Sequence, residues 1–439
     1  MRFLLIAVSL AIFQSTPVFA EFQPPVVLVA DHILDVQSGK LRDHQALLVA
    51  DGKIQRIAPF SDLHSPAGAK IIRFPAGATL LPGLIDAHTH LMQSFDPKIG
   101  GDEPNQILQA ATMSTALRAL RGARNAREDL MAGITSVRDV GNSGLNGDVA
   151  LQKAIAQGWI EGPRMVVSTR ALAPAGGQFP PMTAEGKNLI ETEYVEISGP
   201  VEARAAVRKA VYDGADLIKV IVGNGPNLLD VDELKAVVEE AHAVGKKVAA
   251  HATSDHAVSN AIAAGVDSIE HGYRASEASL RAMAAQHIFL VPTDFPLDSH
   301  DFVLGCLHRG DCTAAGTLAF TENNKKRLRQ AVALGVPIAF GSDEYNDASG
   351  VSRGQGSLEV LESYVGAGLT PIEILRAITI NGATLLGIDA QVGALEVGKL
   401  ADIVAVPGNP LSDPLLLQHV DFVMKGGEIA RNTSATSRP

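Results

Sequence analysis

Two histidines one residue apart, His88 and His90, end the apolar stretch LLPGLIDAHTHL over Leu80–Leu91. On an extended backbone residues i and i+2 face the same side, so both imidazoles can reach one point. Other strand-length apolar runs carry a polar residue within or at the end: Lys219 in ADLIKVIV, His251 in KKVAAHAT, His271 in GVDSIEHGY and Asp343 in GVPIAFGSDEY. Imidazole and carboxylate together suit zinc or a similar divalent metal. The plain alternative is a loop that happens to contain histidine, and the other four residues weigh against it.

Lys219 is the odd member, a charged amine inside a greasy strand. One reading is an ammonium paired with a neighbouring acid. The other starts from repulsion, because a cation beside metal ions is unfavourable. A desolvated lysine loses its proton more easily. The neutral amine can then add carbon dioxide and become a carbamate, N6-carboxylysine, whose two oxygens can bridge two metals. With the other five residues present the carbamate is the reading adopted, and two divalent ions, Zn2+ by ligand type, are the expected cofactors.

This set is complete for hydrolysis of a C–N bond. Metal coordination lowers the pKa of water from ~15.7 to about 7, giving a metal-bridging hydroxide as nucleophile. Asp343 can take its proton and pass it to the leaving nitrogen, a general base and then acid. Nothing in the set handles electrons, phosphoryl groups or an acyl-enzyme. Tyr273, two residues after His271 in EHGYR, is a candidate donor to the carbonyl or oxyanion, or else a packing residue at the rim. Arg353 in VSRGQG is a candidate for a substrate carboxylate, or else one half of a surface ion pair.

Such residues need a scaffold that brings strand ends together. From Leu80 to about residue 390, eight apolar strand-length runs alternate with helical segments. One helix is marked by Asp230 as its cap, by Leu234, Val237, Val238 and Ala241 as its apolar face, and by Gly245 as its stop. Near-continuous apolar strands alternating with helices make a parallel sheet covered on both sides. The α/β class follows, and eight units predict a (β/α)8 TIM-like barrel with its chemistry at the carboxyl ends of the strands. An open doubly wound sheet is the alternative; no G-x-G-x-x-G follows the first strand to suggest a dinucleotide. Residues 21–79 and 391–432 read instead as short alternating strands, each set too small for its own core, so together they predict one small β-sandwich built from both chain ends. Residues 433–439 read as a tail.

The chain has 439 residues, with Lys+Arg 37 against Asp+Glu 48, a net charge of −11. That balance argues against nucleic acid or an anionic membrane as partner. Residues 1–20 combine Arg2, the apolar run Phe3–Phe13 and TPVFA with Val18 and Ala20 at −3 and −1, which reads as a secretory signal peptide. The apolar run falls short of the ~20 residues a membrane-crossing helix needs. A periplasmic or secreted protein, starting near Glu21 and off the membrane after cleavage, is expected. In that oxidising setting Cys306 and Cys312, in CLHRGDC, are expected to pair; two free thiols or a weak metal site with His308 are the alternatives.

The stretches LLPGLIDAHTH, GADLIKV, KVAAHA, AGVDSIEHG, FGSDEY, EILRAITINGATLLG and VGALEVGKLADIVAV resemble the amidohydrolase superfamily. Within it the chain resembles the bacterial Xaa-Pro and Xaa-Arg dipeptidase (prolidase-like) group, related to imidazolonepropionase and to ochratoxin-degrading amidases. The resemblance implies that His88, His90, carboxylated Lys219 and Asp343 hold one metal, and that Lys219, His251 and His271 hold the second. It implies an amide substrate such as a dipeptide or N-acyl amino acid, ochratoxin-like amides included, and allows a homo-oligomer. Two departures alter the expected substrate contacts. Relatives often read GGHG where this chain has GGQFP, so Gln178 stands in for a histidine; they often read AHAHG where this chain has AHATS, which puts Thr253 in place of a second histidine. A cyclic amide or ester hydrolase of the same superfamily, or a metal- or solute-binding protein without catalysis, are the competing readings.

Overall fold

The computed structural model describes residues 24–96, 99, 102–223, 227–296, 314–345 and 350–433. Residues 1–20, Cys306 and Cys312 lie outside them, and so do the readings made on those residues.

The apolar stretch leading to His88 divides into two strands. Ala78–Pro82 runs antiparallel to Ile403–Pro407, pairing Pro82 with Ile403 and Ala78 with Pro407. Leu84–Thr89 instead runs parallel to Ile134–Asp139. The expected boundary at residue 80 therefore falls inside a strand of the terminal sheets, because pairing with the C-terminal strand holds the chain there as far as Pro82.

Both chain ends contribute to that terminal unit. One sheet has the order Lys53–Pro59, Gln45–Ala50, Val26–Val29, Lys70–Arg73. The other has Glu428–Asn432, Phe422–Lys425, Ile403–Pro407, Ala78–Pro82, His32–Asp35, Lys40–Asp43. Leu28, Leu47 and Ile54 from the first pack with Ile33, Leu80, Ile403, Phe422 and Met424 from the second. Neither set of strands has apolar partners enough by itself, which is why the two ends share one core.

The middle of the chain alternates parallel strands with helices. Arg164–Val167, Ile134–Asp139 and Leu84–Thr89 form one sheet. Tyr194–Glu196, Ala171–Ala173, Leu217–Ile221, Lys247–Ala252, Ser268–His271 and Phe289–Val291 form another. The predicted strand PRMVVSTRAL is split between the two sheets. Thr169 breaks it with a left-handed backbone (φ 62), and its amide is held by the buried Asp148 Oδ2 at 2.7 Å. A segment around residues 338–343 lies between Leu290 and the strand Leu84–Thr89. Ile338 bridges Leu290 in parallel, Ala87 N donates to Phe340 O at 2.8 Å, and Asp343 N donates to His88 O at 2.9 Å. Across the other gap Asp216 N donates to Val167 O at 2.7 Å. Among the described residues these are isolated bonds and one bridge, and no strand ladder closes the two sheets into a ring.

Helix signals in the sequence are met closely. Val231–Ala243 starts in a capping box in which Asp230 and Glu233 satisfy each other's backbone amides. Leu234, Val237, Val238 and Ala241 are all buried, and the left-handed Gly245 follows (φ 69). Seating this apolar face on the sheet fixes the strands whose ends carry Lys219 and His251. Among the described residues no helix is long and apolar enough to cross a membrane.

Candidate active site

The strand ends converge as the sequence requires. His88, His90, Lys219, His251, His271 and Asp343 all line one cavity of about 290 Å³. The segment holding Asp343 lies hard against the first parallel strand: a Cβ at Gly341 would sit 2.7 Å from His88 Cβ, so only glycine fits. Asp343 and His271 both have left-handed backbones (φ 54 and 68), as does Thr293 (φ 49). Such conformations are uncommon for non-glycine residues and gather at functional sites. At His271 the effect is practical. Strand alternation alone would send Glu270 and His271 to opposite faces; a left-handed residue breaks the pleat, and both border the same site.

Three of the four imidazoles are held through Nδ1. His90 Nδ1 lies 2.9 Å from the Gly141 carbonyl, which can only accept, so Nδ1 donates and Nε2 presents its lone pair. That Nε2 is 3.3 Å from Asp343 Oδ1, and His88 Nε2 is 3.5 Å from the same oxygen. His88 Nδ1 donates to Glu270 Oε2 at 2.7 Å. His271 Nδ1 is 2.7 Å from Thr293 Oγ1. One ligand atom each from His88, His271 and Asp343 lies within 4.8 Å of the others, and the His251 and His271 rings are 4.5 Å apart. Lone pairs aimed at a carboxylate oxygen at such range repel unless a proton or cation lies between. The donor set therefore fits a divalent metal, and the residues present could hold one.

The protonation states agree. Burial holds His88 and His271 well below the ordinary imidazole range. Burial, with the Lys219 charge second, takes His251 down to about 3. Neutral imidazole is the form that binds metal. Burial likewise pushes the Lys219 amine, only 2 % exposed, down to about 8, which makes a neutral amine accessible near physiological pH.

Tyr273 lines the cavity. Its hydroxyl lies 3.2 Å from Thr293 Oγ1, and its ring centroid is 5.3 Å from that of His271. Gln178 also lines it, accepting from Tyr194 OH at 3.2 Å with its amide nitrogen 3.5 Å from His251 Nε2. Thr253 is a third lining residue. Arg353 is not. It opens the helix Arg353–Glu359 with its amide on Glu128 Oε2 at 2.8 Å, and its Nε is 3.4 Å from the buried Asp129 Oδ2. The expectation of a substrate-facing arginine is corrected: a buried carboxylate draws the guanidinium under the helix, away from the cavity. Away from the cavity, His242 pairs with Asp267 and His32 with Asp43, both near the surface.

Four residues behind the site escaped the sequence reading. Glu270, fully buried, receives His88, Arg138 and Ser268. Arg138 ties it to the wall through the Ala87 carbonyl at 2.5 Å. Arg327 grips Asp294 through one amino group and the His271 carbonyl through the other. Thr293 completes the set. A buried acid beside a ligand histidine in SIEHG was the one available signal.

Comparison with known proteins places this geometry. The profile described as "Amidohydrolase family" matches residues 79–431. The chain belongs to this family. It is a hydrolase acting on C–N bonds. The amidohydrolase is 31% identical to ochratoxinase of Aspergillus niger over 381 residues, covering 80% of this chain and 75% of that protein. It is 26% identical to imidazolonepropionase of Symbiobacterium thermophilum, with 88% of each covered. Among solved structures, an Xaa-Pro dipeptidase with bound methionine in its active site superposes with a TM-score of 0.79 at 28% identity, covering 92% of this amidohydrolase and 99% of that chain. These likenesses imply a (β/α)8 barrel with a β-sandwich as the shared architecture, and they bear out the family resemblance read from the motifs.

Proposed function

We propose that this amidohydrolase is a metal-dependent enzyme that cleaves the amide C–N bond of a small molecule, a dipeptide or an N-acyl amino acid. The observation that carries the reading is the convergence of four imidazoles, a buried lysine and Asp343 on one cavity, with His88 and His90 both aimed at one oxygen of Asp343. The similarity to ochratoxinase and to an Xaa-Pro dipeptidase supports an amide as the bond.

In this reading the two parallel sheets and the segment around residues 338–343 form one barrel, supported by the bonds between Ala87 and Phe340 and between Asp216 and Val167. His88, His90, Lys219 as its carbamate, and Asp343 hold one divalent ion; Lys219, His251 and His271 hold a second. When bound, such ions activate water near neutral pH and polarise a carbonyl. The chain does the rest. Glu270, the Gly141 carbonyl and Thr293 hold the rings in the tautomer that offers a lone pair. Asp343 accepts a proton from the attacking water at Oδ2, the oxygen not shared with His88 and His90, and returns it to the leaving nitrogen. Tyr273 donates a hydrogen bond toward the carbonyl oxygen. A protein that only bound metal or solute would have no use for a buried base at this position. Residues 1–20 are removed on export in the same reading.

The test is a screen of purified, zinc-loaded protein against dipeptides, N-acyl amino acids, cyclic amides and esters, with metal content measured alongside. Amide turnover that tracks metal content is expected. Turnover of esters or cyclic amides alone moves the substrate class; full metal with no turnover of any member overturns the enzymatic reading.

A further inference from the structure

A second cavity, about 650 Å³, adjoins the reaction cavity and is more than twice its size. Gln178 lines both, so the two share a wall at the residue that touches His251. The larger cavity is built by the segment between the strand Ala171–Ala173 and the helix Lys187–Glu193. Its apolar lining comes from Phe179, Pro181, Met182, Ala184 and Ile190.

The floor of this cavity is fixed. Gly176 and Gly177 turn the chain with successive left-handed backbones (φ 84 and 61). A Cβ at Gly177 would sit 2.4 Å from the Tyr194 ring, so the backbone lies directly on that ring. Phe179 is buried and meets Tyr194 edge to face at 5.5 Å. Glu196 Oε1 accepts from Gly176 N at 2.6 Å, and Asn227 donates to the Ala175 carbonyl at 2.8 Å. Pro181, Ala184 and Lys187 stand exposed around the opening. A rigid apolar floor with an open rim, next to a small polar reaction chamber, fits a substrate with one reacting amide and one large apolar arm.

We propose that this cavity is the subsite for the non-reacting arm of the substrate, and that the arm is a bulky, uncharged apolar or aromatic group. The inference rests on the amide-hydrolase reading for the identity of the reacting bond. It adds that the substrate is an amide with one arm of naphthyl size rather than a peptide of small residues. Gln178 then separates the two compartments and contacts the chain where the arm leaves the reacting centre.

The test uses non-hydrolysable ketone isosteres of N-acyl glycine and of acetylated amines, each carrying either a methyl or a 2-naphthyl arm. The naphthyl arm is placed on the acyl side in one series and on the nitrogen side in the other. Dissociation constants are measured by calorimetry on the zinc-loaded protein. In one series the naphthyl compound is expected to bind roughly 10- to 100-fold tighter than its methyl partner, the scale of discrimination that filling an apolar pocket supplies. Ala184→Trp, which fills the cavity from its rim, should shrink that ratio to within about threefold of unity, and Glu185→Trp, on the adjoining residue that does not line the cavity, should leave the ratio as in the wild type. Ratios near one in both series of the wild type, or a ratio that survives Ala184→Trp, overturn the subsite. Because binding is read without turnover, an enzyme inactive on every amide would sink the hydrolase reading while leaving this measurement to decide the cavity on its own.

Discussion

His88 Nδ1 donates to Glu270 Oε2 at 2.7 Å, and the carboxylate that receives it is completely buried and also held by Arg138 at 2.7 Å. One acid thus fixes the tautomer of a cavity-lining imidazole and neutralises a buried guanidinium. Replacing it should damage both functions in separable ways. Glu270→Gln keeps the shape and is expected to weaken metal binding roughly 10- to 100-fold, the usual cost of losing a carboxylate behind a ligand histidine. It also leaves Arg138 without a counter-charge, at about 3–5 kcal/mol of stability. Metal titration and denaturant unfolding check the two; normal metal affinity in a destabilised variant would make Glu270 a purely structural residue.

The ligand assignment predicts stoichiometry. Wild-type protein is expected to carry about two divalent ions per chain. The double variant His88→Ala/His90→Ala removes both imidazoles aimed at Asp343 Oδ1 and should halve that content or abolish it, with activity lost. Elemental analysis after dialysis reads this directly. Full metal content in the double variant would remove these residues from the site.

Lys219 carries a signed pH prediction. Its amine is pushed from 10.5 down to about 8 by burial, and only the neutral amine adds carbon dioxide. The neutral fraction climbs from roughly a tenth at pH 7 to about nine-tenths at pH 9, because a basic group loses its proton as pH rises through its pKa. Reactivation of metal-stripped protein by zinc and bicarbonate should therefore speed up with pH across that window; a rate that is flat or falling contradicts it. Lys219→Ala should be inactive and partly restored by short carboxylic acids. Lys219→Arg should not recover, since guanidinium stays charged.

The sequence made the cavity-lining residues legible because strands are short and their polar residues stand out against apolar runs. His88, His90, Lys219, His251, His271 and Asp343 all reach one cavity. The two chain ends were readable as one unit for the same reason, since neither could bury its own apolar face. What the sequence did not carry was direction. Thr169 splits a predicted strand through a single left-handed residue, a choice that composition does not reveal. Glu270 draws no notice as one acid in SIEHG, and its role shows only where the His271 backbone breaks the pleat. Arg353 reads as a substrate contact or one half of a surface ion pair; that its partner is the buried Asp129, far away in sequence, is not legible there.

That correction has its own consequence. Arg353 is 6 % exposed and Asp129 fully buried, and burial takes the Asp129 carboxyl up to about 7 despite the arginine beside it. Arg353→Ala removes one half of a buried pair and is expected to cost about 3–5 kcal/mol of stability. Because the residue does not line the cavity, KM ratios between acidic and neutral substrates should match the wild type at a temperature where the variant is folded. A selective rise in KM for acidic substrates would return Arg353 to the substrate site.

The last prediction concerns the two polar residues that stand over the site. Tyr273 and Gln178 line the same cavity but touch different partners: Tyr273 is anchored on Thr293, which also holds His271, while Gln178 reaches His251. Burial, aided by the Asp343 charge, pushes the Tyr273 phenol above its ordinary range. It therefore stays a protonated donor throughout the working pH, and no limb of the activity profile should belong to it. Tyr273→Phe keeps the ring stacked beside His271 and removes only the donor, so kcat/KM should fall roughly 10- to 1,000-fold with metal content unchanged, the span between a modest polar contact and a full oxyanion donor. Gln178 can donate and accept but cannot become a cation near neutral pH, whereas a histidine can. Gln178→His should therefore reorder substrate preference more than it alters metal content, and it should add a pH dependence to KM that the wild type lacks. Steady-state kinetics across pH on a panel of amides separate the two residues. If Tyr273→Phe is silent and Gln178→His leaves both the ranking and the KM profile untouched, neither side chain meets the substrate, and the polar contacts that orient it must come from other residues lining the cavity, such as Gln93, Gln106 or Asn142.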